Sequence, residues 1–183
     1  QGFRVCTSCG RGYKQLTKQL MKKHKSPMGS DCSGQWSQQI SLGHEFPTDV
    51  IQLQFLLQPN VLDPIWFSYS LAYAIVEGVA ETLQIPSVDL STTVRNLEGK
   101  HNIPPIILYD NVPGGAGLVA RLENKGDLKN SLDAALQRVS GECKCAEDTS
   151  CYGCLRSYRN QFAHQNLRRG PVAKYLSEIL SQW

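Results

Sequence analysis

Four cysteines lie within twelve residues in the spacing C-x-C-x5-C-x2-C, and they constrain the fold more than any other feature of the chain. They are Cys143, Cys145, Cys151 and Cys154. Zinc prefers four soft ligands in a tetrahedron, so four thiolates would complete its shell and leave no position for a reactive water. The loop between them has few apolar residues to bury, so metal would have to order it. We therefore predict a structural zinc site; two disulfides or free thiols are the alternative.

A second group of potential metal ligands lies near the start of the chain. Cys6 and Cys9 form a C-x2-C pair, and Cys32 follows after a lysine-rich stretch. Either His24 or His44 would complete a set of four. His24 is preferred, because C-x2-C followed by H-x7-C makes two ligand pairs around a short insert. We predict a second zinc at this set; the alternative is an incomplete site in which Cys32 is simply buried.

The cysteine count also bears on the compartment. Seven cysteines cannot all pair within one chain, and two clusters at metal spacing favour a reducing environment, so we expect a cytoplasmic protein. No apolar run is long enough to span a membrane, and no signal peptide is evident. The chain begins at Gln1 rather than Met, so we expect a fragment or a mature piece of a longer protein.

The net charge of +3 is unevenly distributed along the chain. The first 25 residues carry seven basic residues and no acidic one. The stretch after the cysteine loop is basic again, and there aromatic side chains alternate with amides and cations. Aromatic rings stack on bases and arginines contact phosphates, so we predict a DNA-binding surface. Its predicted residues are Arg156, Tyr158, Arg159, Arg168 and Arg169, together with Lys14, Lys18 and Lys22.

Two alternatives to this interpretation remain open. The basic residues are also typical of solvated helix faces. Tyr158 and Phe162 lie four positions apart, so they are equally compatible with core positions on one face of a helix.

Between the basic ends, the pattern is typical of an α/β or α+β domain with a small mixed sheet packed against helices and stabilised by one or two zinc sites. Length and composition favour one substantial domain with a small appendage, which we place at 46–183 and 1–45 respectively. The four-cysteine loop occupies 143–154 of the larger domain. Apolar periodicity predicts these elements in order: a strand at 50–57, a helix from Pro64 to Ile85, strands at 88–94 and 105–109, a helix-like segment at 118–122, and helices over 126–140 and from Pro171.

A glycine-rich turn, residues 110–117, follows the strand predicted at 105–109 and admits three interpretations. Its glycines permit tight backbone angles and close helix packing. Alternatively, its amides cradle a DNA phosphate, ahead of a helix start. In the third interpretation, the acid at position 110 joins His44, Glu45 or Asp49 in a metal-dependent hydrolytic site. The residues predicted for a phosphate-binding turn are Asp110, Asn111, Gly114, Gly115 and Gly117.

Combined motifs give the chain a recognisable resemblance. The turn at 109–117 and the two cysteine pairs of the loop together resemble the MZB domain, the zinc-binding domain at the C-terminus of mitomycin-repair-type superfamily 2 DNA helicases. A subunit of the DISARM anti-phage system carries the same kind of domain. The segments 43–49 and 154–160 also match, so the resemblance extends from about residue 43 to the end.

The resemblance implies a zinc-stabilised DNA-binding and coupling domain linked to helicase-driven repair or anti-phage defence. The expected partners are DNA, single-stranded or at a junction, and a helicase motor in the same chain or in a partner subunit. No lysine follows the glycines in a Walker arrangement, so we expect no ATPase activity from this chain itself. A metal-dependent nuclease using Asp110 with Glu45 and Asp49, and a scaffold that binds a helicase partner, are the alternatives.

Overall fold

The structure, a computed structural model, describes residues 2–95 and 103–183 and separates the chain into two compact units, Gln1–Glu45 and Phe46–Trp183. The first unit is built from very short elements. Strands β1 (Arg4–Val5) and β2 (Gly12–Tyr13) form an antiparallel hairpin. Helix α1 (Lys18–Lys22) is followed by strands β3 (His24–Lys25) and β4 (Asp31–Cys32), which pair antiparallel.

The first unit has almost no apolar core. Among its described residues only Cys6, His24 and Ser26 are buried. A unit of this size that buries so little needs another source of stability, such as a bound metal.

Within its described residues, the second unit contains one three-stranded sheet, in which every pairing is antiparallel. Strands β5 (Val50–Leu53), β6 (Leu90–Val94) and β7 (Ile106–Asp110) lie in the order β5-β7-β6, so the apolar strand predicted at 105–109 is indeed central. The strand predicted over 50–57 ends early, at Leu53. Leu53 already pairs with Ile106, and the two residues before that partner are prolines, which donate no backbone hydrogen bond.

Helix α2 (Pro64–Leu83) packs against this sheet, and the other two α-helices of the unit's described residues pack against α2 and each other. The longest of the three, α2, begins as predicted: the Asp63 carboxylate accepts hydrogen bonds from the amides of Ile65 and Trp66, and Pro64 occupies the first helical turn. It ends two residues before the predicted Ile85, since Gln84 adopts a left-handed conformation with φ 53°. Twelve of its residues are buried, in keeping with its low charge content.

Helices α3 (Lys125–Val139) and α4 (Arg169–Ser181) complete the core of the second unit. Short 3-10 turns lie at Ser87–Asp89, Val119–Glu123 and Tyr158–Ala163. The most deeply buried large side chains include Leu71, Ile75, Ile106, Leu108, Leu132 and Leu176. The combination of small sheets with helices confirms the predicted fold class. None of the helices in the described ranges is long and apolar enough to cross a membrane.

Candidate metal centres and nucleic-acid interface

The four cysteines of the loop converge on one point. Their sulfur atoms all lie within 4.8 Å of one another. The distances are 3.5 Å for Cys143 to Cys145, 3.8 Å for Cys145 to Cys154 and 3.9 Å for Cys151 to Cys154. A tetrahedron with zinc–sulfur bonds of about 2.3 Å has edges of about 3.8 Å, so the donors fit zinc. They do not fit the disulfide alternative, because a disulfide bond is only about 2.0 Å long and all four thiols are free.

The local fold explains how a loop with little apolar content brings these sulfurs together. The Cys151 carbonyl accepts the amides of Cys154, Leu155 and Arg156, which closes a tight turn, and the Cys151 amide donates to the Cys154 sulfur at 3.2 Å. An amide hydrogen bond from Cys145 lowers the pKa of the Cys143 thiol to about 7, while burial raises the pKa of Cys154 to about 12. Zinc must therefore displace protons from thiols of very different acidity.

Arg169, at the start of α4, holds the zinc loop in place. Its Nε and Nη2 donate to the Cys145 carbonyl at 3.0 and 2.7 Å, and its Nη1 donates to the Val139 carbonyl at 3.2 Å. The residue is 8% exposed. The predicted DNA contact at Arg169 is therefore wrong, because the guanidinium is buried and occupied by carbonyl groups.

A second arginine, which the sequence analysis missed, also supports the loop. Arg138 Nε donates to the Cys154 carbonyl at 3.0 Å, and its Nη2 lies 3.0 Å from the Glu77 carboxylate. The only sequence signal for this role is a basic residue in the last turn of α3, and that position by itself is typical of a solvent-facing residue.

The first unit also brings four ligands together. One donor atom from each of Cys6, Cys9, His24 and Cys32 lies within 4.8 Å of the others, whereas His44 is not part of the group. Cys6 and Cys32 sulfurs are 3.8 Å apart, and the Cys9 sulfur is 3.2 Å from His24 Nε2. Tetrahedral zinc with three sulfurs and one nitrogen requires separations of about 3.5–3.8 Å, so this set fits zinc as well.

The surroundings of His24 identify its coordinating atom. Nε2 faces the cysteines, while Nδ1 is buried without a hydrogen-bond partner among the described residues. The ring packs on Trp36, with centroids 4.6 Å apart. Although burial opposes it, amide hydrogen bonds from Cys9 and Ser8 lower the pKa of the Cys6 thiol to about 6, which favours the thiolate that a metal needs.

The glycine-rich turn is filled by the protein's own carboxylates. Asp110 is fully buried, and both its oxygens accept backbone hydrogen bonds of 2.8–2.9 Å; Asp49 accepts another at 2.9 Å. The donating amides are those of Ala116, Gly117, Leu118 and Val119. The two preceding amides, of Gly114 and Gly115, donate to the carbonyls of Pro47 and Val112.

These contacts favour the structural interpretation of the turn. Each amide from Gly114 to Val119 already has an acceptor, so a phosphate would have to displace a carboxylate or a carbonyl. Gly115 has φ 77°, and a Cβ there would overlap the Asp49 carboxylate, so both its backbone angle and its size require glycine. Both acids are visible in the sequence, but their hydrogen bonds to these amides are not. Asp49 directly precedes β5 and is far from the turn in sequence.

The segment after the zinc loop exposes its aromatic side chains. Tyr158 is 83% exposed and Phe162 is 66% exposed, so the alternative that both are core residues is wrong. They lie on the 3-10 turn Tyr158–Ala163 rather than on an α-helix. Tyr152, in the zinc loop itself, is 63% exposed and extends this aromatic surface, although it was not predicted.

The predicted basic residues fall into two classes. Arg159 is exposed and donates one hydrogen bond, to the Val88 carbonyl. Arg156 is half-buried and donates to Ser150 and Thr149 of the zinc loop, and Arg168 is half-buried and donates to carbonyls of its own turn. In the first unit, Lys14, Lys18 and Lys22 are exposed. The ion pairs found within the described part of that unit involve Lys23 and Lys25 with Asp31.

Comparison with known proteins relates this geometry to a family. Residues 71–155, which include all four cysteines of the loop, match the family model described as the MrfA Zn-binding domain, MZB. The Druantia protein DruE of Escherichia coli (strain UMEA 4076-1) is 27% identical over 205 residues, which cover 98% of this chain and 11% of DruE.

A solved structure, that of the DUF1998 helicase MrfA bound to DNA, has the same fold over 85% of this chain and 19% of that one, with a TM-score of 0.53 and 18% identity. The chain thus spans about a tenth of DruE and about a fifth of the MrfA chain. Zinc is the cofactor that the matched family and both ligand clusters require. Residues 71–155 of the chain thus match an MZB-type zinc-binding domain.

Proposed function

We propose that this chain is a zinc-stabilised DNA-binding and coupling domain that works with a helicase motor in DNA repair or anti-phage defence. The observation that carries the proposal is the exposure of Tyr158 and Phe162 beside Arg159 on a segment anchored by the zinc loop. Exposed rings stack on unpaired bases and a neighbouring cation contacts the backbone, so single-stranded DNA or a junction is the expected ligand.

The named relatives support the link to a helicase and to DNA. MrfA is described as a helicase bound to DNA, and DruE as a Druantia protein. Because this chain spans a small part of each, the motor is expected in the same protein or in a partner subunit. Structural zinc then contributes rigidity rather than chemistry, since four cysteine ligands leave no open coordination position.

A test of this surface is the affinity of the zinc-loaded chain for a fluorescent single-stranded oligonucleotide, measured by anisotropy. Each base stack contributes roughly 1–3 kcal/mol, so Tyr158→Ala combined with Phe162→Ala should weaken binding by at least about tenfold. Trp183→Ala removes another exposed ring and serves as the matched control. Equal affinities for the stacking variant and the control would contradict the assignment.

Salt dependence separates the phosphate contacts from the stacking. Arg159→Ala should reduce the slope of log affinity against log salt by about 0.7, and a combined change of Lys14, Lys18 and Lys22 to Ala by more. Arg156 is less suitable for this test, because it also supports the zinc loop. If the wild-type chain does not bind DNA even at low salt, the scaffold alternative replaces the main proposal.

The nuclease alternative has a separate test. Asp110 is fully buried and accepts three amide hydrogen bonds, which is unlike an open metal-binding carboxylate. We expect no cleavage of single- or double-stranded DNA with Mg2+ or Mn2+. Cleavage that Asp110→Asn abolishes, in a variant shown to remain folded, would favour the nuclease.

A further inference from the structure

A groove with a volume of ≈ 930 Å³ lies beside the zinc loop in the second unit. Its walls are the irregular segment 58–62, the starts of α2 and α4, and the zinc loop at Glu147 and Asp148. The volume is near the upper limit of ordinary small-molecule pockets, which favours a larger occupant. Neither the zinc ligands nor the exposed aromatic residues Tyr158 and Phe162 line it.

Aromatic side chains contribute an apolar surface to the groove. Phe67 and Tyr175 pack edge to face with centroids 5.2 Å apart, and Trp66 lies one position before Phe67 on α2. The Tyr175 hydroxyl donates to the Leu57 carbonyl at 2.7 Å, and this bond holds the residue before the segment 58–62 against α4. Phe67 and Tyr175 are themselves buried, so the half-buried Trp66 and the exposed Leu62 are the residues that can contact apolar side chains of an occupant.

Backbone groups of the segment 58–62 lack hydrogen-bond partners. Within the described part of the chain, no hydrogen bond involves the backbone N–H or C=O of Asn60, Val61 or Leu62. Leu62 is also fully exposed, at 107%. Amides and carbonyls left unpaired at the rim of a groove can form hydrogen bonds with the backbone of a bound peptide, which would satisfy those groups.

The charges of the groove disfavour an anionic occupant. Four carboxylates line it, against two cations, one of which belongs to the half-buried Arg168. The carboxylates are those of Asp63, Glu147, Asp148 and Glu178. Such an excess repels a nucleic-acid backbone and favours a basic partner.

The two helix starts that line the groove do not reverse this preference. At α2, the amides of Ile65 and Trp66 donate to the Asp63 carboxylate, and the amide of Phe67 donates to the Asp63 carbonyl. At α4, the amides of Arg169 and Gly170 donate to the carbonyls of Thr149 and Glu147. The donors that would attract a phosphate at a helix start are therefore already used.

We propose that this groove binds a basic polypeptide segment whose backbone pairs with that of 60–62, with apolar side chains on Trp66 and Leu62 and Lys or Arg side chains near Glu147 and Asp148. This inference concerns a surface different from the proposed DNA surface and does not depend on DNA binding. It gives the coupling role a defined contact for a protein partner.

The probe is a capped, fluorescent heptapeptide in which lysine alternates with leucine, titrated with the zinc-loaded 183-residue chain. We expect saturable binding, and at least about tenfold weaker binding of the same peptide with glutamate in place of lysine. Glu147→Lys with Asp148→Lys should weaken binding of the basic peptide by a similar factor. Glu123→Lys with Glu142→Lys makes the same change of net charge on exposed residues outside the groove and should have little effect.

Two further versions of the peptide test whether its backbone pairs with that of 60–62. One is N-methylated on the odd-numbered amides and the other on the even-numbered amides. One of them should bind at least about tenfold more weakly, because its methyl groups face the unpaired backbone of 60–62. Equal binding of all versions, no binding up to about 1 mM, or equal effects of the two charge-reversal pairs would each overturn the proposal. The Tyr158→Ala, Phe162→Ala variant should bind the peptide normally, which separates this test from that of the DNA surface.

Discussion

Arg168 and Arg169 are adjacent in sequence but have different structural roles. Arg168 is half-buried and donates to the carbonyls of Gln165 and Leu167 in its own turn. Arg169 is buried, and its guanidinium donates three hydrogen bonds to two carbonyls at the ends of the zinc loop and α3. Composition assigns both to a basic surface, because the burial of a single arginine depends on the path of a distant loop.

We expect Arg169→Ala to lower the free energy of unfolding by about 3 kcal/mol, since it removes charged hydrogen bonds and leaves two carbonyl oxygens less well satisfied. Arg169→Lys should recover little, because an ammonium cannot reproduce the forked geometry. Urea unfolding in the presence of zinc measures both, with Arg168→Ala as the neighbouring control, expected within about 1 kcal/mol of the wild type. A loss at Arg168 as large as that at Arg169 would contradict this assignment.

The acidities of the cysteines lead to a pH prediction. Zinc binds thiolates, so in the loaded protein the thiol pKa values lie below their values in the unfolded chain, and the stabilisation by zinc is lost as pH falls. The effect should be strong because Cys154, with its pKa raised to about 12, must lose a proton that the metal-free fold retains. Zinc affinity measured against a competing chelator should fall from about pH 8 to about pH 6. An affinity independent of pH would indicate that the thiols are not the ligands.

At the scale of elements, α2 and α3 pack unusually closely at Gly78. A Cβ at this position would overlap the Ser131 carbonyl oxygen and lie 2.7 Å from the Ala135 nitrogen. Both obstacles are backbone atoms of α3, so they cannot move aside as a flexible side chain would. Gly78 is therefore required for this helix contact, although glycine is a poor helix former.

Gly78→Ala should destabilise the protein by about 1–3 kcal/mol, because the strain of separating the two helices exceeds the gain in helix propensity. Gly126→Ala, also in a helix, meets only the Asn124 side-chain oxygen at 3.1 Å and should be nearly neutral. Thermal unfolding of both variants checks the difference. A stabilised Gly78 variant would show that the helices separate at no cost.

Local signals predicted most of the elements, and contacts between distant residues account for what was missed. Asp63-Pro64 fixed the start of α2, and the apolar run at 105–109 identified the central strand. Spacing alone predicted both sets of metal ligands, since the two ligands of each pair are close in sequence. Three features depend on contacts between residues far apart in sequence: the hydrogen bond of Asp49 in the glycine turn, the support of the zinc loop by Arg138, and the groove near Glu147. No periodicity in the sequence encodes such contacts.

At the scale of the whole molecule, the described residues of each unit contain one ligand cluster. The first unit buries few residues, whereas the second has a continuous apolar core. Metal should therefore account for a much larger share of the stability in the first unit than in the second.

The purified chain should contain two zinc ions, measured by mass spectrometry of the metal. Cys9→Ser should reduce this to one and unfold residues 1–45, while the fold of 46–183 persists. Cys151→Ser should also leave one zinc, with the change located in the second unit. Limited proteolysis distinguishes the two cases, and identical cleavage patterns for both variants would contradict separate sites.

Helix α4 has no side-chain cap, and its first two amides are bound instead by carbonyls of the zinc loop. Because helix initiation is the costly step of helix formation, a disordered loop would leave α4 without its starting point. Val172 and Leu176, both buried, would then lack a place in the core. We therefore expect zinc uptake to set the order of folding: the metal first orders the loop, the loop nucleates the last helix, and that helix completes the core. Amide hydrogen exchange should show this helix exchanging ahead of α2 once the metal is removed.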